Sequence, residues 1–410
     1  MFRILKYTIA LLLALIVGGV LFLAAIRESI PDLYTSEHRV STKDSSVFAE
    51  AIGTSQSRFL KTRSDNFYPS LSVSVFRNGE NLWAESIGYA DLKNLTLADG
   101  DTLYPIGSIS KTLTAAATMK LVENGVIDLD TPISTYTSKL PAHYNDITLR
   151  QLLSHQAGVR HYEFAFTPPA FTENALNKEF KTVEEGLSIF IEDPLLFSAD
   201  TSFRYSTFGY SLVAFVLEQA TEKPFLQLMD ETLFRPLSLN NTEADQKSQP
   251  NERRTKDYMS FLRRLGVTPS PPTNSSYKWA GGGFLSTPTD LARFGDALLR
   301  MDYLDQDVFD TMTRPRKLKN GELNPQQYAL GWRIGGMTYP RDTENIVAII
   351  HHGGTAAGSE CGLLLTPDFG ISVAVCGNSF TGGSGDLITL AAGIARDFQE
   401  SVEKNSAEVR

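Results

Sequence analysis

Ser108 and Lys111 stand three residues apart at the start of a helical pattern, a spacing that lets an amine reach a hydroxyl across the first turn. A neutral amine so placed can take the proton of a serine hydroxyl as its oxygen attacks a carbonyl carbon. The lysine pKa, ordinarily about 10.4, must then fall by roughly three units, which burial and neighbouring positive charge accomplish. Gly107 supplies a turn ahead of the pair, and a helix N-terminus favours the anion that develops on the attacked carbonyl. Alone, Ser108-Ile109-Ser110-Lys111 is weak. Such a spacing arises roughly once or twice by chance in a chain of this composition, and by itself reads best as an N-cap serine followed by a solvated lysine.

The elements that would position the pair are legible on both sides of it. Leu113, Ala116, Ala117, Met119, Leu121 and Val122 recur at mainly helical spacing and Asn124-Gly125 closes the run, so a helix begins near Ser108. Upstream, Leu71-Ser72-Val73-Ser74-Val75-Phe76 and Leu82-Trp83-Ala84-Glu85-Ser86-Ile87 flank Asn78-Gly79, the signature of a hairpin with a type I′ turn. Residues 148–239 carry helical patterns at 149–154, 183–191, 210–221 and 225–233, and 242–276 is a charged, proline-rich surface excursion. Thr287 or Thr289 caps a helix over 291–299; strand-like runs at 344–350, 362–365 and 371–375 precede a final helix over 387–399. Strands at both ends around a helical middle predict an α+β fold, an antiparallel sheet flanked by helices with a helical lobe.

Composition excludes several functions. With 42% hydrophobic and 21% charged residues the chain buries a substantial core, and its net charge of −9, with no basic run, argues against a nucleic-acid partner. The six histidines show no ligand spacing with carboxylates, so neither a metal nor a cofactor is indicated. Cys361 and Cys376 are too few for a disulfide framework. A hairpin turning at Asp368-Phe369 sets them opposite one another, which permits a disulfide, but strand-opposed disulfides are geometrically demanding and two buried thiols are the preferred reading. At the amino end, Arg3 and Lys6 precede an uncharged run over 7–26, long enough to cross a bilayer. An uncleaved anchor over 1–27 is favoured over a signal peptide, and its basic flank predicts an extracytoplasmic domain, periplasmic if bacterial. The domain plan is therefore anchor, tether over 28–63 with one short helix, folded domain over 64–402 with its lobe at about 115–270, and polar tail over 403–410.

Three ordered segments lift the motif above chance: Tyr104-Pro105-Ile106-Gly107-Ser108-Ile109-Ser110-Lys111, then Leu152-Leu153-Ser154-His155, then Phe203-Arg204-Tyr205-Ser206-Thr207. Together they resemble the serine β-lactamase and penicillin-binding-protein-like hydrolases, particularly the class C and D-peptidase branch, over nearly the whole domain. Tyr205-Ser206-Thr207 and the run around Tyr277-Lys278-Trp279-Ala280-Gly281-Gly282-Gly283 look most like the mitochondrial members of that family.

The resemblance implies a β-lactamase/transpeptidase-like fold and an acyl-enzyme mechanism on an amide or ester. It places Tyr205 on the family's Tyr-x-Asn motif as a proton relay, with Thr207 where asparagine is usual. It places His352-Gly353-Gly354 on the third motif, so His352 replaces a lysine and recognition of a substrate carboxylate should weaken. The backbone N–H groups of Ser108 and Thr355 would form the oxyanion hole, with Gly353 and Gly354 letting the backbone approach the substrate. His155 would support its loop, and His351, one residue off the motif in a strand, would be structural. The expected function is a peptidase- or esterase-like serine hydrolase of a small molecule or peptide. The alternatives are a D,D-peptidase or β-lactamase, and a weakly catalytic scaffold that self-associates into filaments.

Overall fold

The computed structural model describes residues 2–26, 38–41, 46–163, 173, 176–260, 266–338 and 346–408. In chain order the elements used below are α1 (Phe2–Ile26), β1 (His38–Ser41), α2 (Ala49–Asn66), β2 (Ser70–Arg77) and β3 (Glu80–Asp91). There follow α3 (Ser110–Glu123), α4 (Thr207–Thr221), α5 (Pro288–Leu299), β4 (Arg333–Thr338), β5 (Ile346–Ala356), β6 (Ser359–Thr366), β7 (Ile371–Gly377) and α6 (Gly385–Glu408).

The strands pair antiparallel in the order β1-β3-β2-β7-β6-β5-β4, so the amino-terminal hairpin is completed by the carboxy-terminal meander. Asn78 and Gly79 both take positive φ, 54° and 80°, as the predicted hairpin turn requires. Both faces of the sheet are buried. On one, Val73, Val75, Trp83 and Val373 pack with Phe59 of α2 and Ile394 and Phe398 of α6. On the other, Cys361, Leu363, Leu365 and Ala374 join a larger core with α3, α4 and α5. This second face carries the site, because α3 runs along it between sheet and lobe.

Four features differ from expectation. The stretch read as a tether contains β1 and α2; Ala51, Ser55, Phe59 and Arg63 recur every fourth residue and are all buried. Two of those four are polar, which hides the stripe from hydropathy. Ser55 Oγ donates to Asp397 at 3.0 Å, and the Arg63 guanidinium donates to the carbonyls of Tyr68 and Pro69 while burial pulls its pKa down to about 10. The helix α6 reaches Glu408, into the residues read as a polar tail. Residues 28–37 and 42–45 of the expected tether, and 344 and 345, which begin an expected strand, lie outside the described residues.

The expected membrane anchor is corrected. Among the described residues no helix is long and apolar enough to cross a membrane. The extracytoplasmic location inferred from that anchor falls with it.

The preferred reading of two free thiols is also replaced. Cys361 and Cys376 are directly paired residues of β6 and β7, their Cα atoms 4.2 Å apart, and they form a disulfide. The predicted hairpin register thus set them opposite one another and proximity did the rest. With a 15-residue separation, replacing both by alanine is expected to lower the unfolding free energy by about 3 kcal/mol, read from urea denaturation. An unchanged midpoint would show that packing alone holds the two strands.

Candidate active site

The short 3₁₀ turn Gly107–Ile109 delivers Ser108 to the start of α3, and Lys111 follows within the helix's first turn. Lys111 is fully buried. Its Nζ lies 3.3 Å from Ser108 Oγ, 3.1 Å from Thr207 Oγ1 and in short contact with the Gly281 carbonyl oxygen. Burial, then the charges of Arg333 and Lys278, holds its pKa well below the usual lysine value. A neutral amine has two N–H bonds and one lone pair. Once the amine gives up a proton, the Gly281 carbonyl and Thr207 Oγ1 can accept its two N–H bonds, which leaves a lone pair for the Ser108 hydroxyl proton.

Close packing fixes these partners. A Cβ at Gly281 would meet Thr207 Cγ2 at 2.5 Å, so only glycine lets that carbonyl approach Lys111. Thr207 opens α4, where Ser206 is the N-cap and accepts from Gly209 N–H at 3.0 Å. The Thr207 N–H donates to His161 Nδ1, and the Ser206 N–H donates to His155 Nδ1, both at 3.2 Å. His155 therefore holds the segment that carries Tyr205, as the sequence implied.

Tyr205 is half-buried beside both members of the pair. Its ring centroid is 4.8 Å from Lys111 Nζ, and its hydroxyl is hydrogen-bonded to Ser108. Burial raises its pKa, opposed by the Arg333 charge and by that hydrogen bond.

On β5, His352 faces this cluster and is fully buried. Its Nδ1 is 2.7 Å from the Gly353 carbonyl, an acceptor only, so Nδ1 carries the proton. Nε2 then accepts from the Tyr328 hydroxyl at 2.9 Å and from Arg333 Nη1 at 3.3 Å. Burial and the charges of Arg333 and Lys111 push the His352 pKa well down, so the ring is neutral at ordinary pH. The cation at this position is Arg333 of β4, stacked 5.3 Å over the Tyr205 ring and 5.4 Å over the Tyr328 ring. His351 sits on β5 opposite Arg333, with its pKa lowered to about 4 by burial.

The backbone of β5 then touches the nucleophile turn. A Cβ on Gly354 would fall 1.9 Å from the Ile106 carbonyl oxygen, and one on Gly107, whose φ is +49°, would fall 2.6 Å from Thr355 N. The Thr355 N–H thus adjoins the residue preceding Ser108. Gly353 faces the other way, where its Cβ would meet Ser384 Oγ at 2.2 Å just ahead of α6. So Ser108, Lys111, Tyr205, Thr207, His352, Gly354 and Thr355 converge, and the α-carbon of Gly353 does not share their face.

Sequence reasoning missed Arg333, Tyr328, Lys278 and the Gly281 carbonyl. Nothing local marks Arg333, which follows Gly331-Trp332 in an ordinary strand pattern. The Gly281-Gly282-Gly283 run was visible, and its carbonyl contact was not.

A family model described as Beta-lactamase matches residues 57–395. The mitochondrial serine beta-lactamase-like protein of Homo sapiens is 30% identical over 317 residues, 62% of this chain and 58% of that protein. Penicillin-binding protein 4* of Bacillus subtilis is 24% identical over 274 residues, 64% of this chain and 58% of that protein. The chain therefore spans less than two thirds of the length of these relatives. Among solved structures, the D-amino acid amidase of Ochrobactrum anthropi superposes with a TM-score of 0.70 at 23% identity, covering 87% of this chain and 100% of that one. The octameric penicillin-binding protein homologue of Pyrococcus abyssi gives 0.67 at 24%, covering 83% and 76%. These structures share the antiparallel sheet and helical lobe described above. With the family match running from within α2 to within α6 and enclosing every residue of the cluster, the chain belongs to the beta-lactamase family.

Proposed function

We propose that the protein is a serine hydrolase that forms an acyl-enzyme on Ser108, peptidase- or esterase-like in its choice of substrate. Family membership supports the hydrolase type, and the observation that carries the assignment to these residues is the fully buried Lys111, its Nζ 3.3 Å from Ser108 Oγ and its pKa held well below the usual lysine value. Ser108 Oγ attacks the carbonyl carbon of an amide or ester while its proton passes to Lys111 Nζ. The tetrahedral oxygen is held by the Ser108 and Thr355 N–H groups. As the C–N or C–O bond breaks, Tyr205 hands a proton to the leaving group and is replenished from the Lys111 ammonium. Water then attacks the ester on Ser108, releasing the acid and restoring the serine.

Two substitutions point away from efficient β-lactam turnover. Thr207 offers a hydroxyl already engaged by Lys111 where an amide would reach substrate, and His352 is neutral. Arg333 amends the sequence expectation that carboxylate recognition is weak, because its guanidinium sits on His352 Nε2 where the third-motif lysine would otherwise supply a cation.

A fluorophosphonate probe should label the wild-type protein and not Ser108→Ala, with the adduct mapped to Ser108 by mass spectrometry. Equal labelling of both proteins sinks the assignment.

A further inference from the structure

Residues 314–328 form a hairpin held by the lobe on one side and β4 on the other, and nothing in the reaction above uses the charge it carries. Four of its first six residues are basic, Arg314, Arg316, Lys317 and Lys319, on a chain whose net charge is −9. Arg314, Lys317 and Lys319 are exposed and Arg316 is half-buried. Lys317 pairs with Leu323 across the hairpin, Gly321 turns its tip at a φ of +88°, and Leu323 is 47% exposed, an apolar side chain set among the cations.

The acids near these cations are engaged elsewhere. Asp130 accepts from Nε and Nη2 of Arg150, Asp200 accepts from Gln151 Nε2 at 2.7 Å, and Glu322 accepts from Asn320 Nδ2 at 2.8 Å. Among the described residues no carboxylate forms an ion pair with any of the four. Burial, then Arg150, pulls the Arg316 pKa down; Asp200 and Asp130 oppose that, and Arg314 adds to it, so the cations crowd one another. The result is a patch opposite in sign to the molecule that bears it.

The patch is firmly built and continuous with the site. Buried Asn324 donates to the carbonyls of Arg316 and Tyr328 and accepts from the N–H groups of Gln326 and Tyr328. From the lobe, Gln156 Nε2 donates to the Lys317 carbonyl, and the Lys319 N–H donates to the Asp200 carbonyl. At its other end Tyr328 meets His352, and Gln326 Oε1 accepts from Arg333 Nη2 at 2.9 Å. Arg333 covers the Tyr205 ring, whose hydroxyl is bonded to Ser108, so a chain of contacts leads from the exposed cations to the nucleophile.

Resting on the hydrolase reading, we propose that this hairpin docks an acidic peptide segment, so that the substrate is a polypeptide whose acidic residues lie apart from the bond that Ser108 attacks. Six residues reach up to about 20 Å, the span of a peptide rather than of one small anion. The exposed side chains of the hairpin include Leu323 and no aromatic ring on which a nucleic-acid base could stack, which favours a peptide among polyanions. Its carboxylates relieve the repulsion among the cations, and a surface already fixed by Asn324 loses little freedom when they bind.

The test measures the fluorescence anisotropy of fluorescein-labelled hexaglutamate on the full chain, alongside the rate at which a fluorophosphonate labels Ser108. Wild type should bind hexaglutamate, more weakly as salt rises, and more tightly than it binds hexathymidylate; bound hexaglutamate should slow the labelling. Lys317→Glu/Lys319→Glu should weaken binding by about tenfold, two solvent-exposed attractions having become repulsions, and should leave the labelling rate without peptide unchanged. Lys61→Glu, an exposed lysine of α2 on the far face of the sheet, is the control expected to change neither. Binding retained by the double variant, no binding by wild type, hexathymidylate bound as tightly, or labelling that hexaglutamate leaves at full rate overturns the acidic-peptide assignment alone. Failure of the wild-type protein to label at Ser108 overturns the hydrolase reading and the substrate claim together.

Discussion

Replacing Lys111 with methionine is expected to reduce kcat/KM by about 10²- to 10⁴-fold, the range spanned by general-base catalysis. The replacement conserves length and removes an amine that is fully buried, so the fold should survive, as a thermal denaturation curve would verify. Lys111→Arg should not rescue activity: a guanidinium keeps its proton at any working pH, has no lone pair for Ser108, and does not fit between Thr207 Oγ1 and the Gly281 carbonyl. The wild-type pH profile follows from the same group. Because folding lowers the Lys111 pKa, the base is protonated and idle below that value and neutral above it, so activity rises with pH through the depressed pKa. A Lys111→Met protein with wild-type turnover, or a profile without an acid limb, would remove Lys111 from the mechanism.

Gly354→Ala is the second large effect. Its Cβ would lie 1.9 Å from the Ile106 carbonyl oxygen, and both partners are backbone, so neither can swing aside. The strand β5 must move away from the nucleophile turn, carrying Thr355 N–H off the carbonyl oxygen it is assigned to hold. Loss of one oxyanion donor costs about 10²- to 10³-fold in kcat. The displacement should also lower the melting temperature, since β5 is an interior strand between β4 and β6. Gly100→Ala, where no atom lies within 4 Å, is the control expected to leave both quantities unchanged. Full activity in Gly354→Ala would show that β5 does not set the oxyanion geometry.

Elements were legible where one short-range signal dominated. The Asn78-Gly79 turn, the apolar run after Lys111, and Thr287 capping α5 by accepting from the Asp290 N–H all act within a few residues, and each formed as its local chemistry dictates. The helix α2 was legible only as one short helix of a tether because Ser55 and Arg63 occupy its buried face, made tolerable by Asp397, Tyr68 and Pro69, partners that are distant in sequence or defined only by the bend that follows the helix.

The sequence by itself determined the candidate nucleophile and base. A serine and a lysine three residues apart at a helix start are placed by helical geometry alone, and their order before Tyr205 and His352-Gly353-Gly354 follows from the chain. What only the tertiary structure decided is their electrical state. The Lys111 pKa is held well below the usual lysine value because α4, β4 and the segment around Lys278 bury it and surround it with charge, and a pKa depends on the sum of that environment. His352 stands where the third motif has a lysine; its proton sits on Nδ1 and its charge is disfavoured by burial and by Arg333, a residue nineteen positions earlier brought alongside by strand pairing. Spacing along a chain fixes which groups can meet; the dielectric and the charges around them fix what they can do once they have met.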